Sequence, residues 1–324
     1  MKSKGSRHFE TRITLAAAFI ALSACGGQQQ KVFEQPKNVS PTVSKLSQDL
    51  SRYYGELERR LILRGLMRTD RGGPDTPFTK EDLIRDFQAL AFYGEYVSGH
   101  GFTKAIAQPT ELSKWEDPVR VRLLFGPSVS AKTRESDRQT VTELLDRLTN
   151  VTRHPIMLVE DNSNFDVLVA NEDERYDILT QLQHQRHPIG HQSASLLKTI
   201  PKELQCVVLA YSSTPFSKKY VQALAVIRAE HPPLLRKACF HEEIAQGLGL
   251  SNDSPKARPS IFNDDDEFAL LTEYDEILLN ILYDSRLRSG MSLNTAAPVL
   301  RQIINERCPY NILKQCNPMR ILLF

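Results

Sequence analysis

Apolar positions recur along the chain with two different periods. Val43, Leu46, Leu50, Tyr53, Tyr54, Leu57 and Leu61 fall at helical spacing and predict an amphipathic helix. After a loop at residues 70–77 (DRGGPDTP), Thr79 with Asp82 three residues on makes a capping-box start for a second helix carrying Leu83, Phe87, Leu90, Ala91 and Val97. Two helices of this size bury little by themselves and are expected to pack on the downstream part of the chain. From Trp115 the period changes. Val119, Val121 and Leu123 alternate with Arg120, Arg122 and Leu124 as in a strand, Val141, Leu144, Leu145 and Leu148 mark a helix, and residues 156–159 and 165–169 read as two more strands. Residues 172–195 read as a polar connection. Beyond it lie strands at 206–211 and 220–227, a helix over about 233–250, and another through Ile277, Leu278, Ile281 and Leu282, opened by a second capping box of Thr272 and Asp275. The pattern predicts an α+β chain, with a helical pair (42–98) ahead of a strand-and-helix domain (99–324) that ends in a C-terminal helix and tail.

The N-terminus obeys a different logic. Residues 13–24 form the one run of membrane character, and at a dozen residues it is too short for a hydrocarbon core of about 30 Å. Lys2, Lys4, Arg7 and Arg12 precede it and Leu22-Ser23-Ala24-Cys25-Gly26 closes it, the order of a secretory signal peptide. A Cys directly after Leu-Ser-Ala resembles the bacterial lipoprotein box, in which the thiol is acylated and becomes the first mature residue. The resemblance implies removal of residues 1–24, lipid on Cys25 and a flexible tether over 25–41. Gly26 in place of Asp, by resemblance to sorted lipoproteins, favours the outer membrane facing the periplasm. The chain holds 41 Lys+Arg against 39 Asp+Glu; losing four basic residues and one acidic residue with the signal leaves the mature chain at −1. With no positive field and no basic block, nucleic acid is excluded as a partner. The membrane, through the lipid, and an envelope protein or peptide are the expected partners.

Four cysteines remain besides Cys25. In an exported chain an even number favours disulfides over zinc, and three connectivities are possible. Cys206 with Cys239 and Cys308 with Cys316 is the favoured pairing, the second closing a short loop. No CxxC spacing supports zinc, and no phosphate loop, dinucleotide fingerprint or GxSxG elbow occurs. His184, His187 and His191 fall in a Gln-rich stretch that reads as solvated loop, and the acidic run Asn263, Asp264, Asp265, Asp266, Glu267 lacks the glycine and spacing of an EF-hand loop and reads as an exposed turn.

The informative segment is CFHEEIAQGLGLSND, residues 239–253. Metzincin zinc peptidases carry HExxHxxGxxH, with two imidazoles one helical turn apart, a Glu that activates metal-bound water, and a Gly where the chain turns toward a third His. Aligned on Gly249, the three His positions hold Glu242, Gln246 and Asn252, and the general-base position holds Glu243. Aligned on His241 the pattern fails twice, at Ala245 and Leu248. Ser260-Ile261-Phe262 resembles the Met-turn with Phe for Met, and the helix from Thr272 to Tyr283 resembles the one that closes matrixin-like domains. The chain thus resembles a metzincin scaffold without its imidazoles.

The series CxxEExxQxLGLxND, SIFNDD and LTxxDxxLLxxLYD also resembles the bacterial envelope family known as domain of unknown function 2927. Cys239, Glu242, Glu243, Gln246, Leu248, Gly249, Leu250, Asn252 and Asp253 carry it, with residues 260–265 and 271–284 and, upstream, Lys114-Trp115-Glu116. The resemblance covers roughly residues 85–295 and implies that Glu242, Gln246 and Asn252 are what this family uses in place of His. It brings no established activity. Carboxylate and amide oxygens are hard donors that suit calcium, magnesium or manganese better than zinc. A hydrogen-bond network holding helix, turn and loop together ranks first, an oxygen-ligand metal or small-ligand site second, and a working zinc peptidase last. The sequence reading is therefore an envelope lipoprotein without a cofactor, in a binding or scaffolding role. The alternative is a metallopeptidase with a divalent metal on Glu242, Gln246 and Asn252 and Glu243 as general base.

Overall fold

The computed structural model describes residues 43–94, 109–184, 196–214, 216–263 and 265–308. The signal segment, the tether, Cys25, His187, His191 and Cys316 lie outside them. Helix α1 (Lys45–Leu63) starts on Ser44, whose side chain accepts from Ser47 N, and α2 (Lys80–Ala91) starts on the expected capping box of Thr79 and Asp82. Strands β1 (Lys114–Trp115) and β2 (Val119–Phe125) come next, then α3 (Ala131–Thr152), β3 (Ile156–Leu158) and β4 (Phe165–Ala170). After α4 (Glu172–His184) come β5 (Cys206–Ser212), β6 (Lys219–Arg228), α5 (Pro233–Gln246), α6 (Glu273–Leu282) and α7 (Leu293–Arg307).

The sheet runs β3-β2-β4-β6 with all these strands parallel, as crossovers through helices require. β1 adds a short parallel pairing to the first residues of β6, and β5 pairs antiparallel with β6. All six residues of β4 are buried at the centre of a covered sheet; five are apolar, and the sixth, Asp166, is held by Arg122. Val121, Leu123, Val167, Val169, Ala225 and Ile227 join one core with residues of α2, α3, α5, α6 and α7. This is a mixed α+β fold with a mostly parallel sheet and two N-terminal helices.

Those two helices dock at separate places. α2 lies against α6 and α7 and sends Leu83, Phe87 and Leu90 into the main core. α1 lies against α4 and α5, where Leu50, Tyr54 and Leu61 meet Met67, Leu235 and Ala269 in a second cluster. No helix among the described residues is long and apolar enough to cross a membrane.

Two expectations differ from the structure. Residues 172–184 are not a connection but helix α4. Arg175, Ile178, Leu179 and Leu182 make its buried stripe, Asn171 Oδ1 accepts from Glu174 N at 3.0 Å, and Glu172 holds the buried guanidinium groups of Arg175 and Arg228. A charged residue on the inner face hid the period. His184 is its last residue and is exposed. The other difference concerns α5, which stops at Gln246, four residues before the expected end, because Trp115, Ser113 and Tyr283 crowd its exit from three sides.

Candidate functional site

α5 carries the signature, and it is positioned from both ends. Its N-cap, Pro232, makes no side-chain cap bond; instead Leu235 N donates to Glu58 Oε2 of α1 at 2.8 Å, placing a carboxylate on the positive end of the helix. At its middle the expected disulfide joins Cys239 to Cys206, the first residue of β5, with Cα atoms 5.9 Å apart. Cys308 is disulfide-bonded as well. At the C-terminus, Trp115 Nε1 donates to Gly247 O at 2.8 Å and Tyr283 OH donates to Leu248 O at 2.9 Å. Gly249 turns the chain at a φ of +129°, and a Cβ there would lie 2.4 Å from Ser113 O, so only glycine fits. Trp115, Gly249 and Tyr283 come from three separate motifs and meet at this one turn.

The loop after the turn is held by another motif. Asp275 of α6 is fully buried and accepts from Ser260 Oγ (2.6 Å), Ile261 N (3.2 Å), Thr272 N (2.9 Å) and Thr272 Oγ1 (2.8 Å). Burial pushes its carboxyl up to about 6 against the pull of these donors. The Ser260-Ile261-Phe262 segment is thus fastened to the capping box of α6 and places Ile261 beside Gln246 in the wall of a cavity.

That cavity, of about 450 Å³, lies between the start of β5 and the face of α5 that carries Glu242, Glu243 and Gln246. Glu242, Glu243 and Gln246 line it together with Asp253, Asp266 and Glu203. Its remaining walls are largely apolar, and among the described residues no Lys, Arg or His lines it. A second cavity of about 600 Å³ runs beside β5 from Val208 to Thr214, and Gln246 lines both. Between them the two cavities are lined by every residue of β5, which among the described residues pairs with β6 alone.

The structure brings together Glu242, Glu243 and Gln246, and it separates Asn252 from them. Asn252 Nδ2 donates to Ala89 O of α2 at 2.9 Å, and its neighbour Asp253 faces Gln246, whose Nε2 donates to Asp253 Oδ1 at 2.8 Å. The tight turn at Gly249 decides which of the two points inward. Cys206 comes within ligand distance of Glu242 and Glu243, but its sulfur is committed to the disulfide and is no thiolate donor. His241 is buried on the far side of the helix, where Nδ1 accepts from Leu271 N at 3.1 Å; burial, with Arg147 and Lys237 nearby, pushes its imidazole down to about 3. Carboxylate and amide oxygens are hard donors that suit a hard cation better than zinc.

Sequence reasoning missed Glu203 and Asp266. Asp266 belongs to the turn read as exposed; its carbonyl accepts from Met67 N, and neighbouring Glu267 pairs with Arg68 and Arg258. Asp265 is exposed while Asp266 and Glu267 are half-buried, and a run of consecutive acids carries no local sign of that difference. Asp264 lies outside the described residues.

A family model described as protein of unknown function (DUF2927) matches residues 80–302. The chain belongs to the DUF2927 family. The match begins at the first residue of α2 and ends inside α7, so the DUF2927 region contains the sheet, the Cys206–Cys239 disulfide, the clamped turn and every described lining residue of the two cavities except Met67. Helix α1, with the Glu58 cap, precedes it. No curated protein matches the chain.

Proposed function

We propose that the domain binds an extended peptide strand along the edge of β5 that no described strand covers and does so at the cell envelope, held there by lipid on Cys25. One observation carries this reading: two cavities are lined by consecutive residues from Cys206 to Thr214, and no described strand other than β6 pairs with β5. An edge strand presents a row of backbone donors and acceptors, and an added strand satisfies them whatever its side chains are. At about 3.3 Å per residue, β5 offers room for a partner of roughly six or seven residues. Metzincin peptidases hold substrates in this way, so the resemblance of the signature agrees with a scaffold that keeps the binding edge without the zinc chemistry.

The test is titration of the full chain, in detergent, with blocked peptides of alternating serine and valine. Binding should protect β5 amides from hydrogen exchange and should vanish when the serines are replaced by proline. Peptide binding that leaves the β5 amides unprotected would refute the reading. The rival reading is a metallopeptidase. It draws support from Glu242, Glu243 and Gln246 facing one cavity, with Glu243 at the general-base position, and it loses support from Asn252 being turned to α2. Stoichiometric metal in the purified protein, together with peptide cleavage abolished by Glu243→Gln, would establish that rival instead.

A further inference from the structure

We infer that the apex at the C-terminus of α1 is a second membrane contact, where three arginines and two apolar side chains rest on an anionic phospholipid surface. The inference rests on the lipid at Cys25, which brings a membrane within reach, and is independent of strand docking along β5. The apex is built locally. α1 ends at Leu63, and Gly65, at a φ of +76°, turns the chain, with Gly65 N donating to Ile62 O at 2.9 Å and Leu66 N to Leu61 O at 3.0 Å. Leu61 before the turn and Leu66 and Met67 after it pack in the second cluster. Ile62, Leu63, Arg64 and Gly65 between them are all exposed, Leu63 at 80% and Ile62 at 48%. A single exposed apolar residue is ordinary. α1, however, also exposes Leu46, and among the described residues no other element exposes more than one large apolar side chain.

Arg59, Arg60 and Arg64 stand around these two side chains. All three are exposed, and among the described residues no acid pairs with them. The basic residues on either side differ: Arg52 pairs with Asp49, and Arg68 pairs with Asp70, Asp75 and Glu267. Glu58, adjacent in sequence, is turned to Leu235 N at the start of α5. Lys45, Arg52 and Arg59, seven residues apart and all exposed, carry positive charge back along the same side of the helix, with Glu56 the acid among them.

A helix C-terminus favours bases of itself, yet that gives no reason for two branched aliphatic side chains to stand in water among them. An anionic lipid surface answers both features. Guanidinium groups meet phosphate oxygens in charge-assisted hydrogen bonds, while Leu63 and Ile62 enter the boundary between headgroups and acyl chains. Position in the chain selects the membrane as the occupant: α1 is the first described element and starts 20 residues after Cys25. Lipid on Cys25 therefore holds its start within about 70 Å of the bilayer even with the intervening chain fully extended. Three arginines hold a free chain only weakly, but a tethered contact acts at high effective concentration, so the lipid holds the protein and the apex orients it.

Hydrogen exchange on the full chain tests this, with the protein reconstituted through its lipid into vesicles of phosphatidylcholine alone or with about 30% phosphatidylglycerol. Amides of residues 60–66 should exchange about threefold or more slowly on the anionic vesicles than on the neutral ones, while amides of β4 exchange alike on both. The difference should shrink as salt is raised to about 0.5 M. An Arg59→Gln, Arg60→Gln, Arg64→Gln triple variant should lose it, and Leu63→Ser should reduce it; both change exposed side chains, and an unchanged melting temperature confirms that each is folded. A chain that floats with both kinds of vesicle but shows equal exchange at 60–66 would overturn the inference and leave the lipid on Cys25 standing. A chain that floats with neither would refute the lipid and take the inference with it. Protection of 60–66 that grows with protein concentration in detergent alone would assign the apex to a second copy of the chain and overturn the inference.

Discussion

His241 stands beside Glu242 in the signature, yet its imidazole faces the interior and accepts a hydrogen bond from Leu271 N. An imidazole that accepts at Nδ1 and is buried must stay neutral, and its pKa lies at about 3, below the ordinary value of 6.5. The unfolded chain therefore binds the proton more readily. The contribution of this group to stability is complete above about pH 6.5 and is lost as the pH falls toward 3. The melting temperature should decline over that window, and His241→Gln, whose side-chain oxygen accepts the same bond without titrating, should flatten the His241 part of the decline in thermal melts at a series of pH values. Gln246 supports a second expectation. Its amide is largely buried and its hydrogen bond to Asp253 joins α5 to the loop beyond Gly249. Gln246→Ala should cost about 1–2 kcal/mol in urea unfolding with no metal present, and an unchanged midpoint would deny the side chain its bracing role.

At the scale of elements, α5 is held in place by parts of the chain far from it in sequence. The disulfide ties it to β5 across 33 residues, and by the loop-entropy estimate such a bridge stabilises by about 3–4 kcal/mol. A Cys206→Ser, Cys239→Ser double variant should unfold at correspondingly lower denaturant. It should also loosen the wall between cavity and helix, seen as faster amide exchange in β5. Glu58 is the other restraint, a carboxylate from α1 on the first turn of a helix that lacks a cap of its own. Glu58→Ala should destabilise by about 1 kcal/mol, measured by calorimetry, and a neutral result would mean that water caps Leu235 N equally well. Most of these elements were legible in the sequence. The capping boxes at Thr79 and Thr272, the alternation in β2 and the cluster of apolar residues in β4 are short-range signals, each complete within a few residues. α4 was not legible because Arg175 occupies its inner face, paired with Glu172, and periodicity reads a charge as an outward position.

For the molecule as a whole, the lipid and the cavities beside β5 belong to one proposal: a binding edge held near a membrane surface. Cys25→Ser should move the protein from the membrane to the soluble fraction, and mass spectrometry of the wild-type N-terminus should show an acylated cysteine. A variant that still sediments with membranes would mean that something other than Cys25 holds the chain. The sequence by itself determined the class of fold, the order of nearly all elements, the Cys206 with Cys239 pairing as the favoured one, and the family, because period, capping and motif spacing are written locally. Only the tertiary structure decided which acids line one cavity. Glu203, Glu242, Asp253 and Asp266 come from four separate stretches of chain. Asp253 rather than Asn252 turns inward because Trp115, Ser113 and Tyr283 crowd the turn at Gly249. A one-residue difference at a clamped turn reverses which side chain faces the site, and the groups that set that turn lie more than a hundred residues upstream and about thirty downstream, beyond the reach of any local pattern.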